Sequence, residues 1–156
     1  MNIDATDKKI LAHLAENADA SATEIGNAVG LSVPAVNKRI RRLTEEKVIK
    51  SFTVLTDGKK LDKPITAFIF LVFRYGDGAA AILDYLDKDP DVLECYAVTG
   101  EYDYLIKVCA RDVETLEDKL LNLKKQRGVD RSHTMLALME HKFSPTVLPD
   151  DEESGE

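Results

Sequence analysis

Apolar positions recur at helical spacing from Asp4 to Asn17, where Ile10, Leu11 and Leu14 fall on one side with Ala18 a turn further on. Asp4 or Thr6 is suited to cap this helix. Asn17-Ala18-Asp19-Ala20 breaks it, and Ser21-Ala22-Thr23-Glu24 then reads as a capping box for a helix of barely two turns that Gly30 ends. Ser32 is placed as the next N-cap, Pro34 is tolerated in a first turn, and the spacing predicts a third helix to about Lys47. Val48-Ile49 and Ser51–Leu55 read as extended, and Thr56-Asp57-Gly58 as a turn.

From Ile65 the pattern changes. Ile65–Phe73 is a β-rich run, apolar on both faces. Gly78–Lys88 is helical, with Ile82, Leu83 and Leu86 on one side. Val92–Thr99 and Tyr104–Ala110 are strands around the turn Gly100-Glu101-Tyr102-Asp103. Val113–Gln126 is helical, and Val129–Phe143 ends in a strand centred on Thr134–Leu138. The order β-α-β-β-α-β is the ferredoxin-like signature. The predicted fold class is therefore α+β: a winged-type helix-turn-helix domain over 1–50, a linker with a short strand over 51–64, a ferredoxin-like sensing domain over 65–148, and an acidic tail over 149–156. Residues 150–156 are expected to be disordered.

Charge sharpens this division. The whole chain carries −7, which at first argues against nucleic acid. Residues 1–50, however, hold eight Lys or Arg against seven Asp or Glu, and four of those cations lie within Lys38–Arg42. A DNA reader needs local positive charge, not a basic total. At 100° per residue, Val36, Ile40 and Leu43 lie within about 60° of one another and form a buried stripe. Lys38, Arg41 and Glu45 point the opposite way, with Arg42 beside them, and Asn37 and Arg39 flank the stripe. Two short helices separated by Gly30 match the helix-turn-helix plan, whose second helix enters the major groove by its N-terminal end. Ser32 and Val33 stand at that end. Asn37, Ser32 and Lys38 are candidates for base edges, Arg41 and Arg42 for phosphates, and Arg39 for pairing with a carboxylate beside the stripe.

These residues resemble the Lrp/AsnC family of feast/famine regulators. The similarity runs over about residues 2–148. Its opening pattern stands as Ile3-Asp4-x-x-Asp7-x-x-Ile10-Leu11-x-x-Leu14. Its reader-helix pattern stands as Gly30-Leu31-Ser32-x-x-Ala35-Val36-x-x-Arg39-Ile40-x-x-Leu43, followed by Val48-Ile49. Val98-Thr99-Gly100-Glu101-Tyr102-Asp103 matches the turn that marks the family's sensing domain, and Gly128-Val129 precedes the last strand. Two positions depart: Lys47 replaces the usual Gly before Val-Ile, so the helix exit is expected to use another conformation, and Asp19-Ala20 stand where an Arg is common. The resemblance implies dimers paired through the sheet domains, often assembled into octamers. It also implies an amino-acid effector between neighbouring dimers, which carries over to Gly100, Tyr102, Asp103, Ser132 and Thr134. Chemically, Gly100 permits close backbone approach, Asp103 suits an ammonium, and hydroxyls suit a carboxylate. A plain hairpin turn fits Gly100–Asp103 equally well.

The remaining chemistry points away from an enzyme. His13, His133 and His141 show no ligand or triad spacing, although His133 and His141 share parity on the predicted strand, and no phosphate loop or nucleophile motif occurs. No cofactor or metal is expected. Cys95 and Cys109 are expected to be reduced, mostly buried thiols. No apolar run suffices for a membrane span and Met1-Asn2-Ile3-Asp4 does not open a secretory signal, so a cytoplasmic protein with no membrane partner is expected. The expected function is sequence-specific binding of double-stranded DNA, with assembly or affinity responding to an amino acid or similar small molecule. The alternative is an effector-independent, nucleoid-type architectural DNA binder.

Overall fold

The computed structural model describes residues 3–74 and 79–150. Backbone contacts divide them into two compact units: Met1–Leu55 with Lys142–Glu156, and Thr56–His141. Residues 142–148, expected with the sheet domain, thus group with the N-terminal unit. There Lys8 Nζ donates to the Asp150 carbonyl at 2.7 Å. The tail from 151 onward, expected to be disordered, lies outside the described residues.

In the first unit α1 spans Ala5–Glu16, α2 Ala22–Val29 and α3 Val33–Glu45. Each of the first two helices starts in a reciprocal capping box, Asp4 with Asp7 and Ser21 with Glu24, which satisfies N–H groups the helix itself leaves unpaired. The turn between α2 and α3 is tight. Gly30 takes φ +72°, and a Cβ on Gly26 would meet the Leu31 carbonyl oxygen at 2.6 Å, so both positions need glycine. Ile10, Ile25 and Val36 form the core of this unit, each contributing about 1.5–3 kcal/mol on burial. Ile40 is half-buried and Leu43 buried, so the expected stripe of α3 faces inward.

The exit from α3 corrects one expectation. Val48 N–H bonds the Leu43 carbonyl at 2.9 Å and Lys47 N–H bonds that of Thr44 at 3.1 Å, the two bonds of a Schellman motif. Lys47 adopts the left-handed conformation that a glycine would take, at φ 61°, and not another one. The strand expected at 51–55 is also absent: residues 50–57 carry no ladder, and Phe52, Val54 and Leu55 are exposed. A strand needs a neighbour to pair with, and none is present among the described residues of this unit. The linker instead contains a 3₁₀ turn, Gly58–Leu61, capped by Asp57.

The second unit is built from β1 (Ile65–Phe73), α4 (Ala79–Lys88), β2 (Val92–Ala97), β3 (Tyr104–Ala110), α5 (Val113–Lys124) and β4 (Val129–Leu136). The expected first residue of α4, Gly78, lies outside the described residues. The sheet order is β2-β3-β1-β4, with every pair antiparallel. This is the ferredoxin-like βαββαβ arrangement. One face of the sheet meets the helices: Ala67, Ile69 and Leu71 of β1 and Ile106, Val108 and Ala110 of β3 are buried with Ile82, Leu86, Leu116 and Leu123. The alternation of strand side chains puts Phe68, Phe70 and Val72 on the other face, beside Leu105, His133 and Met135. β4 stops at Leu136, short of the expected Phe143, so His141 shares no strand with His133. Cys95 corrects a further expectation: it is exposed on the edge strand β2, which has a neighbour on one side only, while Cys109 is half-buried.

Candidate functional site

Helix α3, the expected reader, is tied to α1 by a buried carboxylate. Asp7 is fully buried, a position that a charged side chain occupies only when paired. Arg39 donates to Asp7 Oδ1 at 2.8 Å and to Asp4 Oδ2 at 2.6 Å, and Arg42 donates to Asp7 Oδ2. The Arg39 guanidinium, with the Asp7 N–H, holds the Asp4 carboxyl below its ordinary pKa, and Asp4 and Asp7 push that of Arg39 up. Two carboxylates at the start of α1, N-cap Asp4 and Asp7, and two guanidiniums on α3 therefore form a closed clamp. Arg39 pairs with carboxylates beside the stripe, as expected. Arg42, expected on phosphate, spends one nitrogen on Asp7 and leaves Nε buried without a partner. Sequence reasoning did not find the clamp, because the Asp4–Asp7 spacing signals a capping box and says nothing of what else reaches those oxygens.

The other candidates remain outward. Lys38 is exposed, and Arg41 is 81% exposed with a single i,i+4 pairing to Glu45 at 2.7 Å. Such a solvated pair is readily exchanged for a phosphate. Ala35, Lys38, Arg39, Arg41, Arg42 and Glu45 line a groove of about 580 Å³ along α3. At its N-terminal end Ser32 has N-cap backbone geometry but no side-chain cap bond, so its hydroxyl is uncommitted. Val33 and Asn37 are exposed beside it.

The second set of candidates divides between strands and faces. Gly100 takes φ 115°, within the β2–β3 turn. Asp103 continues the ladder with its backbone, donating N–H to the Leu71 carbonyl at 2.8 Å, and with its side chain, as Oδ2 accepts from Phe73 N–H at 2.7 Å. That contact continues the β1–β3 side of the sheet past its last pair, Leu71 with Tyr104. Tyr102 packs on the open face, 5.0 Å from the Phe70 ring and 6.3 Å from that of His133. Ser132 and Thr134 pair with Leu71 and Ile69, so they lie on the helix side. β1 separates their strand from β3, a distance of about 10 Å within one chain. A cleft of about 490 Å³ lies elsewhere, between α4 and β2, lined by Leu83, Leu86, Val92, Leu93 and Cys95 among others.

Comparison with known proteins matches both halves. Residues 3–50 match the winged helix-turn-helix DNA-binding family, and residues 66–147 the Lrp/AsnC ligand binding domain. The chain is 35% identical over 147 residues to the HTH-type transcriptional regulator FL11 of Pyrococcus horikoshii, covering 94% of this chain and 96% of that one. It is 34% identical to the transcriptional regulator AzlB of Bacillus subtilis, covering 85% and 88%. Among solved structures, the regulator NMB0573 of Neisseria meningitidis in its L-Met complex superposes with a TM-score of 0.88 at 28% identity, covering 94% of this chain and 96% of that one. With a helix-turn-helix whose reader helix turns cations outward, a ferredoxin-like sheet domain, and relatives that are regulators and not enzymes, the chain belongs to the Lrp/AsnC family of DNA-binding transcriptional regulators.

Proposed function

We propose that this regulator reads double-stranded DNA with the outward face of α3, and that an amino acid or close metabolite bound at a subunit boundary near Gly100–Asp103 alters its assembly or DNA affinity. The observation that carries the reading is the polarity of α3: Val36 and Leu43 are buried while Lys38 and Arg41 stand exposed on the opposite side. In this reading Ser32, Val33, Asn37 and Lys38 face base edges, and Arg41 holds phosphate. Arg42 sets the helix in place through Asp7 and offers only the N–H groups of its exposed part, not the buried Nε, to the backbone.

The effector half rests on chemistry and on kinship. A zwitterion needs an anion for its ammonium and donors for its carboxylate. Asp103 Oδ1 has no partner among the described residues, and Gly100 leaves room for close approach. Ser132 and Thr134 supply hydroxyls, but about 10 Å away across β1, further than one small amino acid spans. A second subunit is therefore needed to complete the pocket. The Neisseria relative, solved with L-Met, supports the amino-acid class. The open sheet face, with Phe68, Phe70, Tyr96 and Met135, supplies the surface for dimerisation, and further association of dimers, up to an octamer, brings sensing domains together. Because an effector acts only by differential affinity between states, binding must shift assembly or reader spacing.

Calorimetric titration of the twenty amino acids into the full-length chain is the test, followed by DNA titration with and without any that binds. At least one is expected to bind and to change DNA affinity. Binding by none would favour the effector-free architectural reading.

A further inference from the structure

We propose that Lys47, the second residue past α3 and next to its C-cap Glu46, is a DNA-phosphate contact, kept at a position whose backbone favours glycine. The inference rests on the DNA-binding reading of α3 and adds a residue to it. Two non-glycine residues among those described have a left-handed backbone, Lys47 at φ 61° and Asp62 at φ 57°. For Asp the conformation is common, because its short polar side chain bonds locally. Lys has no such compensation. The Schellman bonds to Leu43 and Thr44 require the left-handed turn there, so the strain follows from where the lysine sits and not from a choice of conformation.

No contact among the described residues repays that strain. The Lys47 side chain is exposed and its ammonium makes no hydrogen bond or ion pair among the described residues. Nearby Glu45 is held by Arg41. Strained residues of this kind persist where function holds them.

Geometry supplies the partner. α3 has 13 residues and is therefore about 20 Å long. The major groove is about 12 Å wide. A helix that presents its N-terminal end to base edges must overrun the groove, and its C-terminal end then lies against one of the phosphate strands that wall it. Lys47 sits at that end, about 9 Å along the axis beyond Arg41, with exposed Lys50 three residues on. The rival explanation is local: a cation close to a helix C-terminus is stabilised by the carbonyl ends. The two explanations make opposite demands on stability.

Lys47→Gly and Lys47→Arg, made in the full-length chain, separate them. Thermal melting and binding to a labelled mixed-sequence duplex across a salt series are the readouts. Lys47→Gly is expected to raise the melting temperature by about 2–5 °C, since relief of strain exceeds the added freedom of the unfolded chain. It is also expected to lower the slope of log Kobs against log salt by about 0.9 per bound subunit. Lys47→Arg keeps both the charge and the strain, and is expected to retain the wild-type slope. A Lys47→Gly protein with unchanged slope, or with a lower melting temperature, would overturn the proposal. A wild-type chain that does not bind the duplex would overturn the DNA-binding reading, and this proposal with it.

Discussion

Asp7 is a single carboxylate whose two oxygens answer two arginines of the reader helix. Removing it leaves cations partly desolvated and without a partner, the costly way to break such a pair. Asp7→Ala is expected to destabilise the fold by about 2–3 kcal/mol, less than for a wholly buried pair because Arg39 and Arg42 keep 28% and 42% of their side-chain exposure. Denaturant unfolding measures this, and a loss below half a kcal/mol would show that water replaces the clamp. Asp103 needs two substitutions, because its carboxylate also accepts from Phe73 N–H. Asp103→Asn keeps an acceptor for that N–H and removes the charge, so stability is expected to hold while the amino-acid response disappears. Asp103→Ala is expected to lose both, with a stability cost of about 1 kcal/mol. Calorimetry on the Asn variant decides, since ligand binding that survives there places the ammonium elsewhere. At this scale the sequence was partly readable. The residue types of a reader face were plain from the 100° periodicity, but which guanidinium turns inward depends on tertiary contacts with α1 that no local pattern encodes.

Helix starts were the most legible elements. The Ser21/Glu24 box is a short-range device that the structure forms as expected, and Asp4, one of two expected caps, forms a second box with Asp7. Strand ends were less so. β1 and β3 are central, and their apolar runs stop where the ladder stops. β4 is an edge strand, and the apolar pattern of Leu136–Met139 runs on past its last pair with β1, Leu136 opposite Ala67. For the same reason Phe52, Val54 and Leu55 read as a strand and form none in a single chain. α5 offers a pH test. Its N-cap Asp112 accepts from Thr115 N–H at 2.7 Å and from the Thr115 hydroxyl at 2.6 Å. The Thr115 bonds, with Arg111, bring its carboxyl down from 3.8 to about 2. A lowered acid pKa stabilises the fold fully above the unfolded value and less as pH falls through the folded one. The melting temperature of the wild type is thus expected to fall more steeply between pH 4 and pH 2 than that of Asp112→Asn, whose cap does not titrate. Parallel curves for the two proteins would show that the cap contributes nothing to acid stability.

For the whole molecule, two units carry separate tasks, and the charge asymmetry along the chain foreshadows this division. The sheet unit has helices on one face and aromatic and aliphatic groups on the other, with Tyr96 53% and Met135 47% exposed in the single chain. The proposed pairing of that face between copies would bury these groups. Phe70→Glu, at the centre of the face beside Tyr102 and His133, is expected to shift light scattering of the full-length protein from dimer or higher to monomer. An unchanged mass would put the interface elsewhere. What the sequence alone left open at this scale is the effector pocket, because the proposed pocket needs a second copy to complete it and one chain holds only part of it. The central claim concerns the reader face, and a salt series of DNA binding tests it most directly, comparing wild type with Lys38→Ala/Arg41→Ala. Both side chains are exposed, so the variant is expected to fold as wild type does, with a binding slope lower by about 0.9 for each phosphate contact removed per subunit, and with weaker binding to every sequence. A folded double variant that binds DNA with the wild-type affinity and slope would contradict the account and move the interface off α3.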